Sequence, residues 1–408
     1  MLCRRQVVSM RLQLWTYNYH PEPTGIAPVS RALALALRER DHAVEIVTAH
    51  PHYPSPEWGR RALPYRERQD GLPVLRLPLW IGRGSALERY RQELTFMTAQ
   101  FAAAPLLARP DLAIVVSPSF PALLPAIIAH RARRTPWVLW LHDILPDGAT
   151  ATGVVDEGSR VIRLARTLEL SAYRHADRIV VLSPAFIDNL AAKGVPEKKI
   201  RLVYDPATRR PSRPRPAAVG KRGPLRVLSM GNIGFSQGLA PLVSAVERSP
   251  DLDGTELDLV VTGTGVAAEE VQAEVLGRRV RMVGVLDDED LERELLTADI
   301  GLVTQNYGGG EFNIPSKLMN FMAYSLPIVA AVNPGGEVAR LVRGAEAGWI
   351  VDSSRPEELP RELARLASER DEVAHRGEQA RSYANRHFDV DAFAERFEAV
   401  LGEVSLRR

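Results

Sequence analysis

The 408-residue chain contains one cysteine, Cys3. A single thiol excludes an internal disulfide and a cysteine-built metal cluster, and it fits a reducing compartment. Long apolar runs are also missing. No stretch reaches the roughly 20 apolar residues that a membrane-spanning helix needs. The first nine residues carry arginines but neither an apolar core nor a cleavage site, so they do not read as a secretory signal. Met10 runs straight into a strand pattern and is a candidate start, with residues 1–9 then a disordered tail. Cytoplasmic location is the expectation. Net charge of one sign is scarce too, at +2 overall, but it is unevenly spread: residues 1–205 hold 27 lysines and arginines against 19 acids. A basic first half can face an anionic membrane, on the inner leaflet, or a phosphate-bearing acceptor. It can equally reflect an arginine-rich composition without further meaning.

Apolar residues at 45% and charged residues at 25% are ordinary for a globular chain. The length suggests two medium domains, each able to bury a core. Residues 12–17 read as a strand, followed by a Pro/Gly loop, His20 to Ile26, and a helix from Ala27 with Val29, Leu33 and Leu37 on one face. Residues 43–48 form the next strand, which makes a βαβ unit whose loop lies where open α/β sheets bind ligands. There Gly25 can bring backbone N–H groups near a phosphate or sugar, or simply belong to a helix cap with Thr24. His50 and His52 sit among prolines without a third ligand, and read as a polar loop at a cleft rim rather than a metal site. Residues 81–108 alternate arginines with Leu87, Tyr90, Leu94, Phe96, Met97 and Phe101. That pattern is either a helix packed on a sheet or a basic membrane-interface face. Residues 112–117 and 137–141 are buried-strand runs, and the second ends in His142, Asp143 and Asp147. An imidazole and carboxylates at a strand's carboxyl end are candidates for acid/base work or sugar-hydroxyl contacts; otherwise Asp143 caps a turn and His142 is structural.

Residues 206–224, rich in Pro and Arg, read as a linker between domains. Strand-then-glycine patterns follow it: residues 225–230 with Gly231 to Gly238, residues 257–261 with Gly263 and Gly265, and residues 280–285 with Gly284. A fourth element spans residues 297–332. Its strand leads into Gly308, Gly309 and Gly310, and then into a helix opened by Pro315, Ser316 and Lys317. A helix start beneath a glycine loop offers free N–H groups, the positive end of its dipole, a hydroxyl and an ammonium, a set suited to a diphosphate. One such turn is weak evidence; four in register at strand ends is much stronger. Asp251 and Asp253 have the Asp-x-Asp form of metal-dependent sugar transferases, but precede a strand and read as a turn. The acidic run from Asp287 to Asp290 reads as a helix start. The spacing Gly231-Asn232-Ile233-Gly234 is not that of a nicotinamide-binding fingerprint.

These features together resemble the bacterial family 4 glycosyltransferases of the GT-B fold, nearest the colanic acid type of exopolysaccharide biosynthesis. The resemblance is carried by residues 18–26, 47–54, 231–234 with 237–239, and 315–318 with Asn320. It implies an α/β protein with two facing Rossmann-like parallel-sheet domains and a deep cleft. These would be residues 10–205 on the acceptor side and 225–386 binding nucleotide-sugar. Residues 206–224 would link them, and a C-terminal helix, 387–408, would pack back across the cleft. It implies retaining, metal-independent hexosyl transfer from a UDP-, GDP- or dTDP-sugar to a glycan or lipid-linked surface-polysaccharide precursor. No cofactor, metal site or nucleic acid would be involved. The implied catalytic set is His142, Asp143 and Lys317. The implied donor-binding set is Gly25, Gly231, Asn232, Gly234, Gln237, Gly263, Gly284, Val285, Glu311, Ser316, Lys317, Leu318 and Asn320. Of these, Gly231, Asn232 and Gly234 would lie along the diphosphate, Ser316 and Lys317 would hold phosphate oxygens, and Gly284 and Val285 would border the base. The chain departs from many relatives in having Asn320 in place of a glutamate, Phe312 beside Glu311 in place of an acid, and Phe235-Ser236 in place of a basic residue. Lys317 is then the main cation of the set. Two other readings remain: a sugar-nucleotide epimerase of the same fold, and a non-catalytic, regulatory sugar-nucleotide-binding member.

Overall fold

The computed structural model describes residues 9–23, 25–52, 62–82, 86–117, 120–144, 160–213, 223–306 and 313–406. The chain divides into two compact units, Met1–Pro206 with Val390–Arg408, and Ala207–Asp389. The first unit holds β1 (Arg11–Trp15), β2 (Ala43–Ala49), β3 (Tyr65–Gln69), β4 (Leu72–Leu77), β5 (Leu112–Ser117), β6 (Trp137–Leu141), β7 (Arg178–Val181) and β8 (Ile200–Leu202). Their order across the sheet is β3-β4-β2-β1-β5-β6-β7-β8. Strands β5 and β6 are buried at every position, as parallel strands covered on both faces must be. The chain runs outward from β1 in one direction and returns to β5 on its other side, so the connections diverge at the carboxyl ends of these two strands.

Strand β3 was not legible from its residues. Tyr65-Arg-Glu-Arg-Gln has no apolar alternation, and it pairs antiparallel with β4 at the sheet edge, where charged side chains are common. The predicted helix at Ala27 runs Ala27–Glu39 and buries Val29, Leu33 and Leu37; its N-cap position falls on Ile26. The basic amphipathic segment forms the helix Ala86–Ala103 and a following 3-10 turn, Ala104–Leu106. Gln92, Phe96 and Gln100 are buried. Gln92 Nε2 donates to the Tyr17 hydroxyl at 2.6 Å, and the Phe96 and Tyr17 rings lie 5.1 Å apart. That face is therefore packed on the sheet. Among the described residues, no helix is long and apolar enough to cross a membrane. His50 and His52 are buried rather than set on a rim. Glu22 accepts from the His52 backbone N–H at 2.9 Å and from Asn18 Nδ2 at 2.9 Å, which ties the loop after β1 to the one after β2.

The C-terminal helix, Val390–Ser405, starts later than predicted and belongs to the first unit. It lies beside Ala27–Glu39. Phe393 and Phe397 reach the Trp140 ring at 5.8 and 5.1 Å. Glu403 closes the far end by accepting from Arg178 Nε at 2.8 Å and Arg201 Nη2 at 2.6 Å.

The second unit holds β9 (Leu225–Met230), β10 (Leu257–Thr262), β11 (Val280–Gly284), β12 (Ile300–Thr304), β13 (Ile328–Val332) and β14 (Gly348–Asp352). Their order is β11-β10-β9-β12-β13-β14, so the connections diverge between β9 and β12. Two buried acids set the amino ends. Asp299 accepts from the Arg226 N–H at 2.9 Å and Arg370 Nη1 at 3.1 Å, latching β12 to β9. Glu247 accepts from the backbone N–H groups of Leu276 and Gly277 at 3.0 Å and of Arg279 at 3.2 Å, folding the turn into β11. Asp287 caps the helix Asp288–Thr297 through the Asp290 N–H at 2.8 Å, as the acidic run predicts. Asp253 pairs with Arg279 and Asp251 with Arg361 in the turn ahead of β10.

The predicted linker is shorter than its composition suggests. Its described start lies in the second unit. The Arg209 N–H donates to Asn320 Oδ1 at 3.0 Å, Ser212 N–H to Glu292 at 2.8 Å, and the Tyr324 hydroxyl to Arg210 O at 3.0 Å. Backbone-to-side-chain bonds of this kind leave no trace in hydrophobic periodicity. Residues 214–222 lie outside the described set.

Phe397→Ala should destabilise the first unit by about 3–5 kcal/mol, the usual cost of removing a buried aromatic ring, because Phe397 is fully buried against Trp140. Urea denaturation followed by tryptophan fluorescence would show it. Leu406→Ala, at an 82% exposed position, should stay within about 0.5 kcal/mol, and equal effects from the two would refute the packing role of the helix.

Candidate functional site

At the carboxyl edge of the second sheet the three glycine turns form one bonded set. Gly231, Gly263 and Gly284 have φ of +102°, +129° and +68°, values that side chains rarely tolerate. Gly231 N–H donates to Thr262 O at 2.9 Å, and Gly263 N–H to Gly284 O at 2.7 Å. The Thr262 hydroxyl donates to the same Gly284 oxygen at 2.8 Å. A Cβ on Gly263 would stand 1.8 Å from Gly231 O, and one on Gly265 would stand 2.3 Å from Ile233 O. The turns after β9 and β10 therefore touch backbone to backbone. Val266 and Val285, just beyond the second and third turns, are 77% and 72% exposed.

The loop after β9 is closed by its own side chains. Gln237 Oε1 accepts from Gly234 N–H at 2.9 Å, and a Cβ on Gly234 would meet Asn232 Nδ2 at 3.0 Å. Asn306, just past β12, fastens this loop from the other side of the divergence. Its N–H donates to Ser236 O at 2.8 Å, and its Nδ2 donates to Phe235 O. A Cβ on Gly238, at φ +57°, would fall 2.0 Å from Asn306 Oδ1. Asn306 was missed in the sequence; its one signal is a polar residue at the carboxyl end of an apolar strand.

The helix Ser316–Ala323 is seated over β12 because Gly301 has no side chain. A Cβ there would strike the Phe321 ring at 2.5 Å. Phe321, Leu318 and Met322 are buried. This seating carries Lys317 to the first glycine turn, where its Cε would lie 3.8 Å from a Cβ on Gly231. Burial lowers the Lys317 ammonium to about 8. Burial is the only cause acting on it, and no acid among the described residues pairs with it. The first-turn N–H groups of Ser316 and Lys317 precede the helix's own bonds, and the dipole adds partial positive charge. Ser316 is exposed. Such an arrangement can hold an anion: it offers oriented donors, closely approachable glycine backbone and a cation that no acid among the described residues neutralises.

Other predicted residues have different placements. Leu318 is fully buried and gives its N–H to Pro315 O at 2.9 Å, so it offers a ligand neither surface nor donor. Asn320 Oδ1 is taken by Arg209 N–H. Residues 307–310 and Glu311 lie outside the described set. In the first unit Gly25, at φ +68°, stands ahead of Ala27–Glu39 with open space where a Cβ would be. His142 and Asp143 follow β6, and Asp143 accepts from the Ile144 N–H at 2.8 Å. His142 Nδ1 lies 3.4 Å from Asp205 Oδ2, a partner that the sequence reading omitted. Asp205 follows a strand end, as His142 does, but nothing in the intervening residues marks the pair.

Residues 24–206 match the glycosyl transferase 4-like domain, and residues 215–383 match the glycosyl transferases group 1 family. The chain thus belongs to the glycosyltransferases of family 4, as an enzyme of hexosyltransferase type with two parallel-sheet domains of the GT-B fold. Among individual relatives, it is 27% identical to WcaI of Escherichia coli K12, named as a colanic acid biosynthesis glycosyl transferase. That match covers 77% of this chain and 81% of WcaI. Sucrose-phosphate synthase from Thermosynechococcus elongatus superposes with a TM-score of 0.72 at 17% identity, over 98% of this chain and all of that one. HepE of Anabaena, solved in complex with UDP, superposes with a TM-score of 0.68 at 16% identity, over 97% of this chain and all of HepE.

Gly263→Ala should cost about 1–3 kcal/mol through overpacking, since its Cβ has no space beside Gly231 O. Gly277→Ala, also at positive φ but with open surroundings, should cost less. Comparing their urea midpoints checks the contact; equal midpoints would show that the turns can separate freely.

Proposed function

We propose that the chain transfers a hexose, with retention and without a metal ion, from a nucleoside-diphosphate sugar to a lipid-linked or surface-polysaccharide precursor. The observation that carries the donor reading is Lys317, a half-buried ammonium at a helix start beside the Gly231 turn that pairs with no acid among the described residues. The leaving nucleoside diphosphate gains negative charge as the glycosidic bond breaks. Lys317 and the first-turn N–H groups would stabilise that charge more in the transition state than in the ground state. A fixed cation and fixed donors can perform this role, which is the physical basis for the metal-free reading. Gly231, Asn232 and Gly234 would line the diphosphate. Gly284 and the exposed Val285 would border the base, and Gly25 would approach the donor from the first unit. The binding of UDP by HepE makes uridine the first base to test. The name of WcaI supports a surface-polysaccharide acceptor, to which the substrate side, including His142 and Asp143, would be fitted. Contact with the inner face of the cytoplasmic membrane would then bring the enzyme to a lipid-linked acceptor.

The test is a thermal-shift screen with UDP-, GDP- and dTDP-sugars in EDTA. Ligand at a hundredfold excess over Kd should add about 2.7 kcal/mol of stability. One nucleotide class should raise Tm, with the shift lost in Lys317→Ala. Proton NMR of the product should show the anomeric configuration of the donor retained. Absence of a shift with every donor would refute the diphosphate site, and a shift abolished by EDTA would refute the metal-free reading.

The pH dependence has a definite sign. An anion favours the charged ammonium, so donor affinity should be full below pH 8 and fall as pH rises through the Lys317 value of about 8, by up to tenfold per pH unit. Calorimetric titration with UDP from pH 6.5 to 9.5 checks this; Lys317→Ala should bind weakly and without that slope.

A further inference from the structure

The first unit holds a buried acid and imidazole that face each other across strand ends. His142 closes β6 and Asp205 follows β8, with Nδ1 and Oδ2 3.4 Å apart and side chains only 8% and 11% exposed. Each group has a second polar atom, His142 Nε2 and Asp205 Oδ1, that is buried and has no hydrogen-bond partner among the described residues. The His142 ring packs on Trp140 with centroids 4.5 Å apart. Charged side chains on the surrounding elements are engaged elsewhere. Asp143 accepts from Ile144 N–H, Arg178 and Arg201 bind Glu403, and Glu398 binds His42 and Arg40. Burial alone pushes Asp205 up to about 8 and His142 down to about 3. Burial thus disfavours the charged form of each group. A carboxyl O–H is the stronger donor of the two and an imidazole nitrogen the stronger acceptor, so the pair is best satisfied with the acid proton directed at Nδ1.

We propose that Asp205 is a positioning residue that donates its carboxyl proton to His142 Nδ1, so that His142 presents an Nε2–H donor, and no basic lone pair, to a substrate oxygen. This rests on the reading above that His142 faces the substrate. It changes the assignment of His142 from an acid/base candidate to a neutral hydrogen-bond donor, and it predicts a switch. When Asp205 loses its proton to solvent, the carboxylate requires an N–H at Nδ1. The Nε2 proton then leaves to solvent while Nδ1 takes one up. The net change is one proton lost, and Nε2 becomes an acceptor.

The experiment is long-range nitrogen–proton NMR on ligand-free protein labelled with nitrogen-15 histidine, from pH 6 to 9.5, with His142 assigned by its loss in His142→Phe. The expected result is neutral His142 protonated at Nε2 at pH 7 and at Nδ1 at pH 9.5. Asp205→Asn should keep Nε2–H at both pH values, because a carboxamide N–H still donates to Nδ1 and cannot ionise. An Nδ1–H form or an imidazolium at pH 7, or a wild-type tautomer unchanged up to pH 9.5, would overturn the proposal. The wild-type titration decides this even where the Asn variant fails to fold. Turnover separates the two readings. His142→Phe should lose about 100-fold in kcat with unchanged nucleotide affinity, and His142→Gln, which restores an N–H donor, should recover part of it. Full kcat in His142→Phe with the expected tautomer would overturn the substrate-facing reading, and the donor role with it, while leaving the Asp205 proton where the NMR puts it.

Discussion

The second unit depends on the backbone contact between two glycine turns. Gly231 and Gly263 approach so closely that no side chain fits at the second position, and Gly231 N–H and Gly263 N–H pass the strand ends on to one another through Thr262 and Gly284. Both turns use positive φ, a backbone path that glycine takes at little steric cost. The turns lie at the carboxyl ends of strands where the connections diverge, the place at which open α/β sheets generally bind ligands. The helix that supplies Lys317 relies on a second absence, at Gly301, where the Phe321 ring sits on bare backbone. Two missing side chains thus fix where a cation stands relative to a glycine turn.

What could be read beforehand follows from how local each signal is. Runs such as Val-Leu-Trp-Leu ahead of His142, or the strand before Gly231, announce buried parallel strands by composition alone, and the glycines that follow them mark their carboxyl ends. Lys317 was legible because Pro315 and Ser316 mark a helix start beside it. Asn306 and Asp205 were not, because each acts on a partner far along the chain, at Gly238 and His142 respectively, and sequence spacing carries no record of that meeting. The same holds for the start of the linker. Its prolines and arginines suggest free chain, while Asn320, Glu292 and the Tyr324 hydroxyl hold it to the second unit. Asn320 carries a long-range bond of the same kind: its Oδ1 accepts from the Arg209 N–H.

The two units treat buried charge in opposite ways, and the difference has a chemical reason. Removing an ammonium from water without a counterion is costly, and evolution ordinarily avoids it with a nearby acid. At Lys317 no acid among the described residues performs that service, and the adjoining helix dipole adds to the positive field instead of offsetting it. Such a site is under-neutralised until an anion arrives, so its binding energy is drawn from relief of a cost already present in the empty protein. At His142 the reverse holds. Burial raises Asp205 and lowers the imidazole, which disfavours charge on both and, in the arrangement proposed above, leaves a directional hydrogen bond between them. A group that contacts a transferred hexose gains from that neutrality, because a positive imidazolium there would oppose the partial positive charge that develops at the sugar's anomeric carbon. In the transfer proposed above, a cation would suit the departing diphosphate and a neutral donor would suit the sugar, and each requirement follows from how burial acts on a group without a partner charge.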